Sequence, residues 1–409
     1  MRIIWMISLY PPYVVGGNEI LAREVVQALR TRGHDVHVLT ARGREFDTTP
    51  YIHQVLNYDL EEKEAIFLGG KAPTPANIAK RYVFDRKAYQ AVRSTVQQLQ
   101  PALIVMDNQY MASVAPLLAV RDAPCPVIAQ VLDKWLRYLL WDLSLLLHPG
   151  KGWQRQMLQM YVRRVQPWLQ RSAKPDAIVA VSEFIKGQYV EAGFPSDRIM
   201  VAHLGIDTAL FQPRQEPHVK DNSLEVVFAG QLWEGKGPQV VVDALGRLRR
   251  SEPDLDLRLR IMGRGNEAFK QYLLAEIQKH GMQDRTVLDG FVPQSMVAER
   301  LRKADIFVLP SIWDEPFSVI LVQAMASGIP VIATTSGGTP EALVDGVEGI
   351  LIPPQDADAL AGAVLRLARN PGLRNMLAQA AVVRAQNQWS FPAYVDRLER
   401  YYEKAVSKE

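Results

Sequence analysis

The stretch DEPFSVILVQAMASGIPVIAT, residues 314–334, places a carboxylate and an amide where both could touch one bound molecule. Pro316 suits the first position of a helix, and the Gly-Ile-Pro triplet suits the end of one. Glu315 and Gln323 are eight residues apart. At about 3.6 residues per turn, this spacing brings them within about 80° on one helical face.

Backbone groups of the same segment could bind an anion. The N–H groups near Phe317, Ser318 and Val319 would lie in the first helical turn, where they have no partner within the helix. The positive end of the helix dipole favours phosphate there, and Glu315 and Gln323 would accept bonds from hydroxyl groups. The alternative to a ligand site is purely structural: Glu315 caps the helix and Gln323 is tolerated at a half-buried position. This alternative accounts for either residue alone better than for both in one motif.

A lysine follows another strand pattern, in GQLWEGKG at 230–237. Lys236 lies beside two glycines and just before the helical pattern PQVVVDALGRLRR. A flexible ammonium at this place could neutralise a diphosphate. The alternative is an ordinary solvated lysine in a loop.

Three further loops that could bind a ligand follow predicted strands. In PPYVVGGNE, Gly16 and Gly17 allow a ligand to approach the backbone before a helix, or they form a tight turn. The SGGTPEALVDG segment at 336–346 is an anion cradle or a turn. Asp133 ends the apolar run PVIAQVLD and is either a polar group of the site or a helix N-cap.

Several kinds of site are absent from the sequence. GxSxG, HExxH, paired CxxC, GxGxxG and GxxxxGK[ST] do not occur, and the seven histidines lack metal-ligand spacing. We therefore predict no metal and no cofactor. The net charge of +3 over 409 residues does not suggest a nucleic-acid partner. One cysteine, Cys125, excludes an internal disulfide framework and suits the reducing cytoplasm.

Short apolar runs alternate with helical patterns along the chain and predict the strands. They lie at 3–8, 35–40, 102–107, 126–133, 177–182, 199–205, 225–232, 257–263, 286–291, 305–310, 330–335 and 349–354. Continuous apolar strands separated by helices predict an α/β fold of two doubly wound parallel sheets. The segment 44–79 has few such signals and is predicted to be a long excursion.

The domain seam is predicted near 203–223, where apolar periodicity stops. This gives an N-terminal domain at 1–205 and a C-terminal domain at 206–388. A last helix at 389–409 is predicted to pack back on the first domain. Ligands of open parallel sheets bind beyond the carboxyl ends of strands, so we expect the site in a cleft between the domains.

The sequence contains no run of 18 apolar residues, so no transmembrane helix is expected. Residues 134–164 mix Trp and Leu with Arg and Lys. This composition fits an interfacial helix pair at the inner face of a membrane, or core packing under the first domain.

Taken together, these loops resemble glycosyltransferase family 4, the retaining GT-B enzymes with two facing Rossmann-like domains. The resemblance covers nearly the whole chain, and the blocks that carry it are PPYVVGGNE, AIVAVSEFIKGQY, HLGIDTALFQP, GQLWEGKG, LRIMGRG, DIFVLPSIWDEPFSVILVQAMASGIPVIAT and SGGTPEALVDGVEGILIPP.

The resemblance makes 1–205 the acceptor-side domain and 206–388 the nucleotide-sugar-binding domain, and it implies roles for the donor-side residues. Glu315 would grip the hydroxyls of the donor sugar, and Lys236 would neutralise the diphosphate. Gln323 would hold the ribose, and the amides of Phe317, Ser318 and Val319 would bind sugar or phosphate. Gly16 and Gly17 would lie over the donor, and Asp133 would face it from the first domain.

The chain departs from the family pattern at several of these positions. Gln323 stands for a glutamate, and Gln231, itself predicted to bind the donor, stands for an arginine. Leu132 stands for a histidine, Ser318 for a glycine and Leu204 for an asparagine. Missing electrostatic terms of this kind can each cost about 3 kcal/mol in a transition state.

The resemblance implies a metal-independent transfer of a sugar from a nucleotide-diphosphate sugar to an acceptor hydroxyl, with retention at the anomeric carbon. The alternative is a catalytically weakened or inactive GT-B protein that binds or regulates. Base, sugar, acceptor and oligomeric state are not predicted.

Overall fold

The computed structural model describes residues 1–14, 17–41, 49–56, 85–109, 114–140, 153–214 and 223–407. The chain forms two compact units. Unit 1 comprises Met1–Ala202 with Val395–Glu409, and unit 2 comprises His203–Tyr394.

Unit 1 contains a seven-stranded parallel sheet in the order β3-β2-β1-β4-β5-β6-β7. The strands are β1 Arg2–Met6, β2 Asp35–Ala41, β3 Ile52–Leu56, β4 Leu103–Met106, β5 Val127–Val131, β6 Ala177–Ala180 and β7 Ile199–Val201. β1 lies between β2 and β4, with Ile3 paired to Val36 on one side and to Leu103 on the other. The central strands β1, β4 and β5 are almost entirely buried, as expected for a parallel sheet covered on both faces.

The unit 1 helices connect these strands. They are α1 Gly17–Thr31, α2 Arg86–Leu99, α3 Ala115–Val120, α4 Trp135–Leu140, α5 Trp153–Ser172 and α6 Glu183–Glu191. Helices α4 and α5 fall in the segment with predicted membrane contact, of which residues 141–152 lie outside the described part. None of the described helices is long and apolar enough to cross a membrane.

Strand β3 corrects the prediction of a long excursion at 44–79. Residues 52–56 pair in parallel with β2, although residues 42–48 and 57–84 lie outside the described part. Its burial is mostly intermediate, because β3 is an edge strand. An edge strand does not need the continuous apolar run by which the other strands were predicted.

Unit 2 contains a six-stranded parallel sheet in the order β10-β9-β8-β11-β12-β13. Its strands are β8 Ser223–Ala229, β9 Asp256–Met262, β10 Thr286–Gly290, β11 Ile306–Leu309, β12 Val331–Thr334 and β13 Ile350–Ile352. Its helices are α7 Pro238–Ser251, α8 Glu267–Lys279, α9 Gln294–Lys303, α10 Val319–Ala326, α11 Thr339–Ala342, α12 Ala357–Arg369 and α13 Pro371–Gln388. The two doubly wound parallel sheets confirm the predicted fold class.

The core of unit 2 forms because amphipathic helices cover apolar strands. Val241 and Leu245 of α7 pack with Leu360 and Val364 of α12 in one buried cluster that includes Phe228 of β8. Full burial of such a side chain stabilises the fold by about 1.5–3 kcal/mol. This packing fixes the carboxyl end of β8, from which the next loop leaves.

The last helix, α14, runs from Phe391 to Ser407. Its residues from Val395 onward belong to unit 1. Tyr402 is fully buried and donates a hydrogen bond to Gln130 Oε1 of β5 at 3.2 Å. Glu399 pairs with Arg32 and, at 2.9 Å, with His34, so buried and charged contacts both hold the helix.

Each sheet has a topological switch point, where neighbouring strands lead their connections in opposite directions. It lies between β1 and β4 in unit 1 and between β8 and β11 in unit 2. Ligands of open α/β sheets bind at such points, beyond the carboxyl ends of the strands.

Candidate functional site

The switch point of unit 2 brings Lys236 and Glu315 together. Lys236 lies in the short turn after β8, Glu315 lies in the loop after β11, and Lys236 Nζ is 2.6 Å from Glu315 Oε1. Glu315 is 3% exposed, so its carboxylate is largely removed from water. The two residues that the sequence predicted to bind separate parts of one ligand are bonded to each other here.

Backbone bonds hold the two loops at this distance. The N–H groups of Ile312 and Trp313 both donate to the Gly235 carbonyl, at 2.7 and 3.1 Å. Gly237 has φ +72°, and a Cβ at that position would lie 2.1 Å from the Pro310 carbonyl oxygen. Glycine at 237 therefore permits both the turn and the close approach of the loops.

A buried hydroxyl orients Glu315. The Ser311 hydroxyl donates to the same Oε1 that binds Lys236. The Ser311 carbonyl accepts bonds from Thr334 Oγ1 at 2.7 Å and Ser336 Oγ at 2.9 Å. Within the described residues nothing donates to Glu315 Oε2, so this oxygen can accept from a ligand hydroxyl. Ser311 was not predicted from the sequence, because a serine at a strand end carries no spacing signal.

The 336–346 segment supports the backbone of Glu315. Gly338 N–H donates to the Glu315 carbonyl at 2.7 Å. Gly337 has φ +58°, and a Cβ there would lie 2.3 Å from the same carbonyl oxygen. The Gly338 N–H is used in this way, so the segment forms a turn that supports the site, and its role as an anion cradle stays a prediction.

The predicted start of the helix at Pro316 is wrong. Helix α10 begins at Val319 with Ser318 as N-cap, and no side chain caps it. Glu315 therefore lies in the preceding loop and does not share a helical face with Gln323, contrary to the prediction. Phe317 and Ser318 stay outside the helix, because the Phe317 side chain is buried against two other rings. Its ring centroid lies 5.2 Å from that of His203 and 5.4 Å from that of Trp389.

The other residues predicted to bind the donor differ in position and in exposure to solvent. Val319 opens α10, so its N–H lies in the first turn, where no intrahelical acceptor exists. Gln323 is buried on α10 and Gln231 is exposed after Gly230. Gly17 is exposed at the start of α1, and Gly16 lies outside the described residues.

Asp133, in unit 1, does what its structural alternative predicted. Its Oδ1 accepts a hydrogen bond from Trp135 N at 2.7 Å, at the beginning of α4. The hydroxyl of Tyr189 donates to the Asp133 carbonyl at 3.2 Å. Burial and the Asp133 charge raise the pKa of Tyr189 well above its usual value. A direct role of Asp133 in a reaction remains a prediction.

Asp107 is a buried carboxyl at the switch point of unit 1 that the sequence analysis did not single out. It follows β4, is fully buried, and accepts a hydrogen bond from Asn108 N at 2.7 Å. Burial raises its pKa to about 7, and the charge of Glu19 adds to this rise. Its place at the end of the run ALIVMD matches that of Asp133 in PVIAQVLD, which was the available signal.

Two planar groups lie at the carboxyl ends of the neighbouring strands. Phe291 follows β10 and is 70% exposed, and the Arg264 guanidinium after β9 lies 5.3 Å from its ring centroid. The Arg264 carbonyl accepts a bond from Leu232 N at 2.8 Å, which links this pair to the Lys236 loop.

This arrangement can bind a molecule that carries both negative charge and hydroxyl groups. Lys236 and the start of α10 attract an anion, and Glu315 Oε2 accepts from a hydroxyl. In the described part of the chain, no group of three or more His, Cys, Asp or Glu side chains is arranged to hold a metal ion.

Two family models match consecutive parts of the chain. The model described as Glycosyltransferase Family 4 matches residues 15–210. The model described as Glycosyl transferases group 1 matches residues 212–384. The second match contains both Lys236 and Glu315.

Named relatives match over different lengths. The chain is 36% identical over 220 residues to a D-inositol 3-phosphate glycosyltransferase of Pseudarthrobacter chlorophenolicus, which is 51% of each protein. It is 26% identical to a glycogen synthase of Mycobacterium tuberculosis over 98% of this chain and 94% of that protein. The chain thus spans about half the length of the first relative and nearly all of the second.

Solved structures show the same fold at low identity. Sucrose-phosphate synthase from Thermosynechococcus elongatus has a TM-score of 0.72 at 19% identity, covering 100% of both chains. The Anabaena protein HepE, solved in complex with UDP-glucose, has a TM-score of 0.69 at 17% identity, covering 99% of this chain and 100% of that one. These likenesses support the GT-B fold.

Proposed function

This chain belongs to glycosyltransferase family 4 of the GT-B fold, and we propose that it transfers a sugar from a nucleotide-diphosphate sugar to an acceptor hydroxyl. The observation that carries the proposal is the bond between Lys236 and the buried Glu315 at the switch point of unit 2. An ammonium for a diphosphate and a carboxylate for sugar hydroxyls lie next to each other, as the two ends of a diphosphate–sugar bond require.

Donor binding exchanges partners within this pair. Lys236 Nζ turns from Glu315 Oε1 to a diphosphate oxygen, and the carboxylate then accepts from hydroxyls of the sugar. The Ser311 hydroxyl keeps Glu315 in place during this exchange. After the exchange, the ammonium lies where negative charge develops on the leaving diphosphate and stabilises it there.

The nucleoside extends along the edge of the sheet. With the diphosphate between β8 and β11, the base reaches the loops after β9 and β10, where Phe291 and Arg264 present planar groups. Aromatic stacking on a base contributes about 1–3 kcal/mol. We assign Gln323 to the ribose, Gln231, Phe317, Ser318 and Val319 to donor contacts, and Gly16 and Gly17 to the loop over the donor.

We further propose that transfer retains the anomeric configuration and uses no metal. With the donor bound, the Glu315 carboxylate receives the Ser311 hydroxyl and the hydroxyls of the sugar, so it is not our candidate nucleophile. The acceptor hydroxyl therefore attacks from the side of the leaving group, and a diphosphate oxygen takes its proton. Lys236 supplies the positive charge that the diphosphate needs, and Asp133 remains our candidate for the polar group from unit 1.

The proposed setting of the reaction is the reducing cytoplasm. Burial raises the pKa of Cys125 to about 11, so its thiol is a poor nucleophile and fits a structural role.

Contact of residues 134–164 with the inner face of a membrane is a separate proposal. Partitioning of the protein onto anionic vesicles tests it, and equal partitioning onto neutral vesicles would count against a charge-driven contact.

The comparisons do not favour the alternative of a weakened binding or regulatory protein, because the named relatives carry the names of enzymes. The variants Q231R and Q323E discriminate between the readings. A silent wild type that gains turnover in these variants would support lost catalysis, and an active wild type rejects it.

A thermal-shift screen with UDP, GDP, ADP and their sugars tests the proposed function. A ligand that binds only the folded state stabilises it, by about 2.7 kcal/mol when the ligand concentration is one hundred times Kd. This stabilisation raises the melting temperature. We expect one base to give a clear rise with both the diphosphate and its sugar. No rise with any of them would contradict the proposal.

A further inference from the structure

Two exposed tryptophans lie beside the Lys236–Glu315 pair. Trp233 is 38% exposed and Trp313 is 37% exposed, although tryptophan is highly buried on average in folded proteins. Their rings meet edge to face, with centroids 5.8 Å apart. Such large apolar surfaces kept in water next to a reaction site point to a ligand that covers them.

The backbone fixes this aromatic pair before any ligand arrives. Trp313 N donates to the Gly235 carbonyl at 3.1 Å, which ties the two loops together. Gly235 lies beneath the Trp233 indole, and a Cβ at that position would come within 2.2 Å of the ring. A ring held in this way loses little conformational freedom on binding, which favours affinity.

The pair borders the bond that breaks in the proposed reaction. Lys236 Nζ lies 5.3 Å from the Trp313 ring centroid and 2.6 Å from Glu315 Oε1. Glu315 is buried, whereas both indoles face solvent. A donor sugar held by Glu315 therefore leaves the indoles free for a second molecule on the outer side.

We propose that Trp233 and Trp313 bind a sugar ring of the acceptor, so that the acceptor is a saccharide. This inference rests on the proposed function. A pyranose ring has an apolar face of C–H groups that packs on the negative face of an indole, while its hydroxyls stay in water at the ring edge. One such hydroxyl oxygen forms the new bond to the anomeric carbon as the bond from that carbon to the diphosphate breaks, and its proton passes to the diphosphate.

The charge at the pair favours a neutral sugar ring here. The Lys236 ammonium already makes a cation–π contact with one face of the Trp313 ring. A second cation is therefore not needed at this ring. The nucleoside is assigned to the Phe291 end of the sheet, which in the order β10-β9-β8-β11 is two strands from Trp233 and three from Trp313. The indoles and the base site are therefore separable by mutation.

Saturation-transfer difference NMR tests this assignment. The probes are methyl α-D-glucopyranoside, methyl α-D-galactopyranoside and methyl α-D-mannopyranoside, each added with the nucleoside diphosphate that binds best. The variants are W313A and W233A, with W313F to keep an aromatic face. W168A is the matched control, because Trp168 is also exposed, at 45%, but lies on α5 of unit 1.

We expect at least one glycoside to bind to the wild type, W168A and W313F. Its signal should fall at least tenfold in W313A and W233A. The Kd of the diphosphate should rise no more than about fivefold in W313A, since an exposed cation–π contact contributes little.

Three results would overturn the acceptor subsite. They are no glycoside signal in the wild type, an unchanged signal in W313A, or a diphosphate Kd that rises more than tenfold in W313A while glycoside binding persists. Failure of the wild type to bind any nucleoside diphosphate would instead reject the proposed function itself, so the two failures are distinguishable.

The variant G235A provides a second test. Its new methyl group must displace the Trp233 indole, because no space exists beneath the ring. We expect a weaker glycoside signal with the diphosphate Kd within about fivefold of the wild type. A folded G235A protein with full glycoside binding would contradict the proposed role of this geometry.

Discussion

At the scale of single residues, the site depends on which partners bind each of the two carboxylate oxygens of Glu315. Oε1 receives Lys236 and Ser311, and Oε2 is left for a ligand. We predict that S311A lowers the affinity for the sugar nucleotide more than that for the diphosphate alone, by about tenfold, because one charge-assisted hydrogen bond contributes about 1.5–3 kcal/mol. Paired calorimetric titrations measure this difference, and equal losses for both ligands would contradict it.

Asp107 predicts how stability varies with pH. Its pKa is raised from an ordinary 3.8 to about 7 by burial, so the folded state binds this proton more tightly than the unfolded state. The stabilisation is complete below about pH 4 and is lost as the pH rises to 7, with an upper bound of about 4 kcal/mol.

The variant D107N should remove most of this dependence. We expect melting temperatures measured from pH 4 to 8 to fall less steeply for D107N than for the wild type. D122N is the control, because Asp122 is an exposed carboxylate of the same unit, and its curve should run parallel to that of the wild type. A D107N curve parallel to the wild type would contradict the account of this group.

The sequence indicated two residues that lie together at one end of the unit 2 sheet, although their roles toward a ligand stay predictions. Lys236 and Glu315 were each singled out from the sequence, and the structure places them in contact. Their direct bond was not predictable, because it depends on the distance between loops 79 residues apart in the chain. Ser311 and the exposed tryptophans carry no motif, so only the fold reveals their neighbours.

At the scale of elements, the loops after β8, β11 and β12 approach each other closely because glycines occupy positions where a Cβ would collide. We predict that G337A destabilises unit 2 and weakens sugar-nucleotide binding, since its Cβ would collide with the Glu315 backbone. G346A is a matched control, because Gly346 has a similar φ of +72° but open space around it.

The comparison separates strain from collision. Both variants place alanine in the left-handed region, which costs about 1–2 kcal/mol each. Only G337A should lose more than this in chemical denaturation, and only G337A should lose ligand affinity. Equal losses in the two variants would show that the contact with Glu315 is unimportant.

The sequence predicted elements well where apolar runs were continuous. All twelve predicted strand runs overlap a strand of the structure, whereas β3 was missed because it is a half-buried edge strand. The start of α10 was placed three residues too early, because Pro316 suits a first turn but Phe317 is held in an aromatic cluster instead. Tertiary packing decided that boundary, and local preference could not.

At the scale of the whole molecule, the last helix belongs to the core of unit 1. Val395, Leu398 and Tyr402 are fully buried. We predict that Y402A lowers the stability of unit 1 by about 3–5 kcal/mol, as for other buried aromatic truncations.

Hydrogen exchange locates the effect of Y402A. Amides of residues 1–202 should lose protection while those of 203–394 keep it, and Y272A should leave both unchanged because Tyr272 is 46% exposed. Uniform loss of protection in both units would contradict the assignment of this helix to unit 1.

Binding of a nucleotide sugar at Lys236 is tested most directly by isothermal titration of the wild type, K236M and K303M. Lys303 is an exposed lysine of the same unit, paired with Glu299 on α9. We expect the Kd of the sugar nucleotide to rise at least tenfold in K236M and to stay unchanged in K303M, with the free nucleoside binding equally to all three. Equal affinity of K236M and the wild type for the sugar nucleotide would contradict the account.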